Sequence, residues 1–271
     1  LIDDIVGGGL GQKELGVVIA PTGAGKSMAL VHLGAAALKQ GKNVVHYTLE
    51  LQDTVIASRY DSCLTKIPLG NLMSFKEKIF EEVQEIKGRL IVKEYPTKSA
   101  STNTIKAHLE KLKMKGFQVD MIIVDYADLL RPINSLKEKR IELETIYEDL
   151  RGMASENVVP IWTASQTNRS GLNAEVVTME SISEAFNKCF VSDFIFSLSR
   201  TVDDKIANGG RLFIAKNRNG PDGLVYPIFM DTSCVAIKVL DPSAAEVDVS
   251  SKTQKESLLK KYKKFKNNTG G

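Results

Sequence analysis

A short glycine-rich stretch near the amino terminus constrains the fold more than any other part of this chain. The apolar, β-branched run Leu15–Ala20 predicts a buried strand. It leads through Pro21-Thr-Gly-Ala-Gly-Lys-Ser27 into the helical pattern of residues 27–40, which Gly41 ends. A strand, a tight loop and a helix in direct succession form the context that a phosphate-binding loop requires.

The loop fits the pattern G-x-x-x-x-G-K-[ST], with Ala20 in place of the first glycine. Glycines let backbone N–H groups curl around phosphates, and the amino terminus of the following helix adds partial positive charge. We expect Lys26 to reach the β- and γ-phosphates and the Ser27 hydroxyl to ligate Mg²⁺. The alternative is a turn that binds nothing, but seven of the eight positions match. The predicted nucleotide-binding residues of the loop are Thr22, Gly23, Ala24, Gly25, Lys26 and Ser27.

Apolar, strand-like runs alternate with helical patterns along most of the chain. Because these runs are apolar throughout, they predict an α/β fold whose mostly parallel, twisted sheet is flanked by helices on both faces. The last few strands have little helix between them, which predicts an antiparallel margin. The predicted strands are 15–20, 44–49, 90–92, 121–124, 160–164, 194–198, 211–215, 225–229 and 235–240, and the predicted helices 27–40, 54–64, 75–87, 104–115 and 136–156.

The composition excludes several classes of protein. With 43% hydrophobic and 25% charged residues, the chain is unlike collagen-like, disordered or disulfide-scaffold proteins. Its three cysteines are far apart and form no C-x-x-C pair, which favours a reducing compartment. No apolar stretch is long enough for a membrane span, so we expect no membrane partner. Because the first residue is Leu1 rather than methionine, we expect a piece of a longer protein.

Two acidic residues directly follow predicted strands. The run 121–124 ends at Asp125, where an acid can hold Mg²⁺ through water opposite Ser27. Glu50 follows the run 44–49, and a carboxylate one strand from the loop can deprotonate a water that attacks the γ-phosphate. The alternatives are an ordinary strand-end aspartate for Asp125, and for Glu50 a charge stabilised at the start of the next helix.

A third strand ends in an amide, in the stretch Trp162-Thr-Ala-Ser-Gln166. From this position Gln166 can hydrogen-bond the γ-phosphate or the attacking water. The alternative is a polar strand end with no ligand.

Five motifs, taken in order, resemble those of one family. They are Ala20-Pro-Thr-Gly-Ala-Gly-Lys-Ser, Tyr47-Thr-Leu-Glu50, Val124-Asp125-Tyr126-Ala-Asp-Leu129, Ser165-Gln166-Thr-Asn168-Arg169 and Lys216-Asn-Arg218-Asn-Gly220-Pro. They are similar to the motifs of the RecA-like P-loop ATPase domain of DnaB-type replicative DNA helicases. The resemblance covers residues 1 to about 235, and its most distinctive part is K-x-R-N-G-P.

The resemblance implies an ATP hydrolase that uses Mg²⁺ and works as a homo-oligomeric ring, usually a hexamer, with ATP between adjacent subunits. Lys26, Ser27, Glu50, Asp125 and Gln166 would act on the nucleotide of their own subunit.

From the neighbouring subunit, Lys216 would reach the γ-phosphate as a sensor and Arg218 as an arginine finger. Cations there would neutralise the charge that develops in the transition state. Without the resemblance, these two residues would be read as a solvated basic strand margin. Arg59 corresponds to an arginine that lies near the nucleotide in the family.

Single-stranded DNA is the partner that the resemblance implies, held in a central pore by loops at about residues 131–139 and 168–186. The candidate contacts are Arg169, Lys139, Arg140 and Glu184. The second loop keeps only the acid of an R-E-S-G element frequent in the family, in Ser183-Glu184-Ala185-Phe186. Backbone N–H groups are therefore an alternative source of phosphate contacts.

The leading hypothesis is a helicase motor that couples ATP hydrolysis at ring interfaces to translocation on single-stranded DNA and duplex unwinding. One alternative is a RadA/KaiC-like ATPase that acts in recombination, or as an ATP switch, without unwinding. We further expect primase or helicase-loader contacts through regions outside this chain, and a cytoplasmic location in a bacterial or phage-infected cell.

We predict a domain over residues 1–240 and a basic tail over residues 241–271. The last 21 residues hold seven lysines against Glu256, so the net charge of +3 divides into +6 there and −3 for residues 1–250. The two interpretations of the tail are a solvated carboxyl terminus and a DNA- or partner-binding arm whose effect fades with salt.

Overall fold

A mixed sheet of nine strands forms the framework of the part of the chain that the computed structural model describes, which is residues 8–134, 138–167, 176–177 and 189–241. The strands lie in the order β3-β2-β4-β5-β1-β6-β7-β8-β9. They are β1 (Leu15–Ala20), β2 (Val44–Thr48), β3 (Leu90–Glu94), β4 (Met121–Asp125), β5 (Ile161–Gln166), β6 (Phe194–Ser199), β7 (Gly209–Asn217), β8 (Val225–Asp231) and β9 (Ala236–Val239).

Helices lie between successive strands of this sheet. They are α1 (Lys26–Lys39), α2 (Asp53–Thr65), α3 (Lys76–Gln84), α4 (Thr102–Met114), α5 (Lys139–Asn157) and α6 (Val202–Ile206), with 3₁₀ turns at Leu69–Phe75 and Ala127–Leu129. None of the helices within the described ranges is both long and apolar enough to cross a membrane.

The parallel part of the sheet, β1 to β6, places the carboxyl ends of its six strands along one edge. β1 lies between β5 and β6, and its last residue Ala20 pairs with Gln166 at the end of β5. β2 runs parallel to β4, with Thr48 opposite Asp125. The loops that follow β1, β2, β4 and β5 therefore all begin at the same edge.

The antiparallel margin consists of β7, β8 and β9, each paired antiparallel to the strand before it. β6 still runs parallel to β1, so the change of direction comes between β6 and β7. The prediction of a mostly parallel α/β sheet with an antiparallel margin is confirmed. Because β7 runs against β1, it ends at the opposite edge of the sheet from the end of β1.

Two hydrophobic clusters cover the two faces of the sheet. On one face, Val17 and Ile19 of β1 belong to the cluster that contains Leu109 of α4 and Leu150 of α5. On the other face, Val18 belongs to a cluster with residues of α1 and α2. All six residues of β1 are buried. A strand enclosed on both faces must be apolar throughout, which is the pattern that the sequence has.

The predicted strands and helices are all present in the described residues, with ends shifted by up to a few residues. The helix predicted at 136–156 is described from Lys139, since residues 135–137 lie outside the described ranges. Three elements were not predicted: the 3₁₀ turns at Leu69–Phe75 and Ala127–Leu129 and the five-residue helix α6. Residues 242–271 also lie outside the described ranges, so the boundary between domain and tail stays a prediction.

Candidate nucleotide-binding site

The loop between β1 and α1 ends at a glycine whose backbone conformation disfavours a side chain. Gly25 caps α1 with φ of 103°, a left-handed conformation that side chains rarely adopt. A Cβ atom at Gly25 would overlap Cε of Met230 on β8, so the Met230 side chain would also have to shift. The first turn of α1 carries no acidic residue, which leaves its N–H groups and positive end for an anion.

Lys26, the first residue of α1, bends back over the loop. Its Nζ donates to the carbonyl oxygens of Ala20 and Pro21 at 3.2 and 3.4 Å, and lies 5.9 Å from the centre of the Tyr126 ring. Burial lowers the pKa of Lys26, while nearby Glu50, Asp125 and Asp128 oppose that shift. Contacts to neutral carbonyls are weaker than a charge-assisted bond to a phosphate, so an anion in the loop would attract this ammonium group.

Asp125 supplies the observation that bears on a metal ion. It is fully buried at the end of β4, and neither of its oxygens has a hydrogen-bond partner. Burial raises its pKa to about 6, and the nearby Ser27 hydroxyl is the largest influence in the opposite direction. A buried carboxylate without a partner costs free energy that a cation would recover. Oxygen ligands from a carboxylate and a hydroxyl suit Mg²⁺, so the residues present fit that ion.

Glu50 lies beside Asp125 because the N–H of Leu49 donates to the Asp125 carbonyl at 2.8 Å. Its side chain is exposed, and it precedes α2, whose amino-terminal cap is Gln52 and whose first-turn acid is Asp53. Glu50 is thus outside the first turn of that helix, which disfavours the alternative that it stabilises the helix start.

Arg59 of α2 faces the two acids. Burial lowers the pKa of Arg59, and attraction from Asp125 and Glu50 opposes the shift. The structure therefore places the residue that the family resemblance singled out within electrostatic reach of both carboxylates.

Gln166 completes this edge of the sheet. Its amide Nε2 donates to the Thr22 hydroxyl of the loop, and both side chains are exposed. The loop and the end of β5 are therefore in direct contact, with the amide at the mouth of the loop.

Lys216 and Arg218 lie at the other edge of the sheet. On β7, Lys216 pairs with Ile195, near the start of β6, whereas the loop follows the end of β1. The length of a six-residue strand, roughly 17 Å, separates the two edges. Lys216 Nζ donates to the carbonyl of Phe190 at 2.5 Å and lies over that ring. The structure does not bring these two cations to the loop of their own chain.

Sequence reasoning missed Asp193, which directly precedes β6 and binds Arg218. It also missed Asp128 and Tyr126, which are close to Lys26. The signal for the latter two was their position directly after the β4 run. The only signal for Asp193 was its position before an apolar run, and polar residues are common at strand starts.

The candidate DNA contacts are only partly described. Lys139 and Arg140 begin α5 and are exposed, and Arg140 Nε pairs with Glu144 Oε1 at 3.1 Å. Arg169 and Glu184 lie outside the described residues.

Comparison with known protein families matches residues 2–234 to the DnaB-like helicase C-terminal domain. A DnaB-like replicative helicase of Enterobacteria phage T4 is 30% identical over 232 residues, which cover 81% of this chain and 49% of that protein. The replicative DNA helicase DnaB of Mycoplasma genitalium is 27% identical over 254 residues, 85% of this chain and 53% of that protein. The chain spans about half the length of these relatives.

Two solved structures share the fold. One is an ATPase domain that superposes with a TM-score of 0.74 at 18% identity, covering 89% of each chain. The other, a DnaB-like replicative helicase studied with its interactions with primase, gives a TM-score of 0.75 at 18% identity over 89% of this chain and 62% of that one.

Proposed function

Since the chain belongs to the family of DnaB-like helicase C-terminal domains, we propose that it is the ATP-hydrolysing motor of a replicative DNA helicase. In this proposal, hydrolysis between subunits of a homo-oligomeric ring, usually a hexamer in the family, drives translocation on single-stranded DNA and unwinding of the duplex. Its working place is the cytoplasm of a bacterial or phage-infected cell.

The observation that carries the proposal is the separation of two sets of charged residues on one sheet. The phosphate-binding loop, Glu50, Asp125 and Gln166 lie at one edge, and Lys216 with Arg218 at the other. A complete site therefore requires the far edge of a second copy, arranged head to tail. Such heterologous contacts close into rings when the rotation permits.

Within one subunit, each residue has a distinct task. The N–H groups of the loop and Lys26 bind the β- and γ-phosphates, and Arg59 adds charge near the nucleotide. Ser27, and Asp125 through water, would hold Mg²⁺, which when bound neutralises charge on the phosphate oxygens. Glu50 accepts a proton from the attacking water. Gln166 hydrogen-bonds the γ-phosphate or that water.

The neighbouring subunit contributes the remaining charge. Lys216 and Arg218 stabilise the negative charge that develops as the γ-phosphate leaves, and an arginine in this role contributes about 10³- to 10⁵-fold to turnover. Since these residues come from another subunit, hydrolysis depends on assembly and can be timed around the ring.

DNA would be gripped by the segments after β4 and β5, which begin at the nucleotide edge of the sheet. Lys139 and Arg140 at the start of α5, with Arg169 and Glu184, are the residues that we propose line the pore. Phosphate contacts of this kind bind without reading sequence. Primase or a helicase loader would bind through parts of the protein beyond this chain.

The test is ATPase activity with and without single-stranded DNA, together with mass measurement in ATP, on the chain and a Lys26→Ala variant. We expect a ring, stimulation by DNA, and a loss of activity in Lys26→Ala of about 100-fold or more. Lys39→Ala, which removes an exposed lysine at the far end of the same helix, should stay near normal. Unchanged activity in Lys26→Ala would refute the site.

Strand-displacement assays distinguish the helicase from its alternative. DNA-stimulated hydrolysis without displacement of a forked duplex, in the longest form of the protein that carries this chain, would favour a RadA/KaiC-like factor.

A further inference from the structure

Asp193 is a buried carboxylate at the far edge of the sheet, with a side chain only 4% exposed. Its Oδ2 accepts the N–H of Leu15, the first residue of β1, at 2.9 Å. The same oxygen binds Nε of Arg151, on α5, at 2.6 Å. These bonds fix the carboxylate to the sheet and to a helix at once.

The other oxygen of Asp193 is shared by two guanidinium groups. Arg151 Nη2 donates to Oδ1 at 3.1 Å, and Arg218 Nη1 lies 3.2 Å from the same atom. In addition, the backbone N–H of Arg218 donates to the Asp193 carbonyl at 3.0 Å. One buried negative charge therefore holds two positive charges and the backbone of Arg218.

The turn that carries Arg218 is fixed from both sides. Asn219 Nδ2 donates to Glu14 Oε1 at 2.8 Å, and the N–H of Asn219 donates to Asn217 Oδ1 at 3.1 Å. With the backbone held in this way, the side chain of Arg218 is the part that can move.

The two arginines differ in how firmly they are held. Arg151 binds Asp193 through two nitrogens, also donates to the Lys13 carbonyl at 2.6 Å, and is 28% exposed. Arg218 has one longer contact and is 49% exposed. If Arg218 left, Arg151 would still compensate the buried carboxylate, so departure does not leave an unpaired buried charge.

We propose that Asp193 is the positioning residue for Arg218, and that Arg151 makes this contact reversible. The Asp193 carboxylate holds the Arg218 guanidinium at the far edge of the sheet, from where it can move onto the nucleotide of the adjoining subunit. This inference rests on the proposed role of Arg218 in the function above. Asp193 itself does not touch the nucleotide.

Loss of this contact should affect turnover more than binding. In Asp193→Asn the Arg218 side chain would sample more rotamers, and misplacement of a catalytic group can cost up to about 10²-fold in rate. We expect kcat to fall about tenfold, with KM for ATP changed less than about twofold, because the phosphate-binding loop lies at the other edge.

Subunit mixing separates positioning from general damage. Asp193→Asn subunits mixed with Lys26→Ala subunits should regain activity, since some interfaces then join an intact loop to an intact finger. Asp193→Asn mixed with Arg218→Ala should regain none, because every interface then carries one of the two finger defects. The longest form of the protein that carries this chain is used, at concentrations where it is oligomeric.

Three further variants complete the test. Arg151→Met leaves Arg218 as the main cation on Asp193, so Arg218 is held more tightly and kcat should fall, with recovery in Arg151→Lys. Asp193→Glu keeps the buried charge but moves it by one methylene, and should lower kcat in the same direction if Asp193→Asn fails to fold. Arg211→Met removes the ion pair that Arg211, elsewhere on β7, makes with Asp204 of α6. It should lower the free energy of unfolding without changing kcat.

The outcomes separate the two claims. The inference would be overturned, and the proposed function would stand, if mixing Asp193→Asn with Arg218→Ala subunits restored activity. A normal kcat in both Asp193 variants would have the same meaning. If Arg218→Ala and Lys26→Ala subunits do not complement each other, the shared site of the proposed function fails instead.

Discussion

Asp125 lies at the end of β4 with both oxygens buried and without a hydrogen-bond partner. Burial is the main cause of its raised pKa of about 6. Stability and function conflict at such a residue, because the ionised form that can hold a cation destabilises the chain when no cation is bound.

The Asp125→Asn variant tests this conflict. Between pH 3.8 and about 6 the folded chain retains a proton that the unfolded chain releases, so the unfolding free energy falls as pH rises through that window. Above it the full penalty applies, on the order of 3 kcal/mol for a pKa raised from 3.8 to about 6. In chelator and without nucleotide, we expect Asp125→Asn to be more stable than the unaltered chain at pH 7.5, by up to that amount.

The measurement is urea unfolding at pH 7.5 and at pH 5.0, which lies inside the titration window, so the gain should fall there to about half of its value at pH 7.5. His46, whose pKa burial lowers to about 3, favours unfolding as pH falls below 6.5, but it does so equally in both proteins. Asp222→Asn, at an exposed aspartate, should show no such gain. A variant less stable than the parent at pH 7.5 would mean that the ionised carboxylate is already compensated.

Among the secondary-structure elements, α1 approaches α2 closely at a glycine. A Cβ atom at Gly34 would overlap the hydroxyl of Tyr60, whose oxygen is 2.9 Å from Nδ1 of buried His46. The hydroxyl cannot move aside without leaving the imidazole unpartnered, because the other ring nitrogen already has no hydrogen bond.

Gly34→Ala should therefore destabilise the chain, although alanine is favoured over glycine by about 1 kcal/mol within a helix. Overpacking costs about 1–3 kcal/mol, and loss of the buried hydrogen bond adds a similar amount. In a Tyr60→Phe background the hydroxyl that the new Cβ atom would overlap is absent. Gly34→Ala should therefore lower the free energy of unfolding by less there. Denaturant unfolding of the double-mutant cycle gives the coupling.

Gly152→Ala is the matched control, because nothing lies within 4 Å of a Cβ atom on this exposed glycine of α5. It should raise the unfolding free energy by up to about 1 kcal/mol. Additive costs for Gly34→Ala and Tyr60→Phe would show that the hydroxyl does not set the distance between α1 and α2.

The sequence predicted those elements whose pattern is local. β1, β2 and β4 are enclosed on both faces, so their apolar runs were visible, and the residues that follow them meet at one edge because parallel strands align their ends. The helix α6 was not predicted, because its apolar residues Val202 and Ile206 are 73% and 79% exposed and form no buried face. It begins with a capping box between Thr201 and Asp204.

The contacts of Asp193 could not be predicted, because they join residues far apart in the chain. Leu15 precedes Asp193 by 178 residues, and Arg151 precedes it by 42. Only the sheet order, with β6 between β1 and β7, brings these groups together. The position of Arg218 relative to the loop likewise depends on the direction of β7, which no local pattern encodes.

At the scale of the whole molecule, net charge is a poor guide to the proposed partner. Residues 1–250 carry −3 and the last 21 residues +6, so residues 1–250 have no overall attraction for nucleic acid. A ring would need only a few basic side chains per subunit facing a narrow pore, since symmetry repeats them. Lys139 and Arg140 are described candidates of this kind.

The division of the site between two edges predicts that hydrolysis depends on protein concentration. Below the concentration at which subunits associate, each loop lacks Lys216 and Arg218 of a neighbour, and turnover per chain should fall steeply on dilution.

Arg218→Ala should lower turnover about 10³-fold or more at high concentration and change little at high dilution, because the finger is absent there in both proteins. Arg211→Met, on the strand β7 that precedes Arg218, should follow the parent at every concentration. ATPase rates over a dilution series, with mass measured in parallel, give the comparison. Turnover per chain that is independent of concentration, with an equal effect of Arg218→Ala throughout, would place Arg218 in the site of its own subunit.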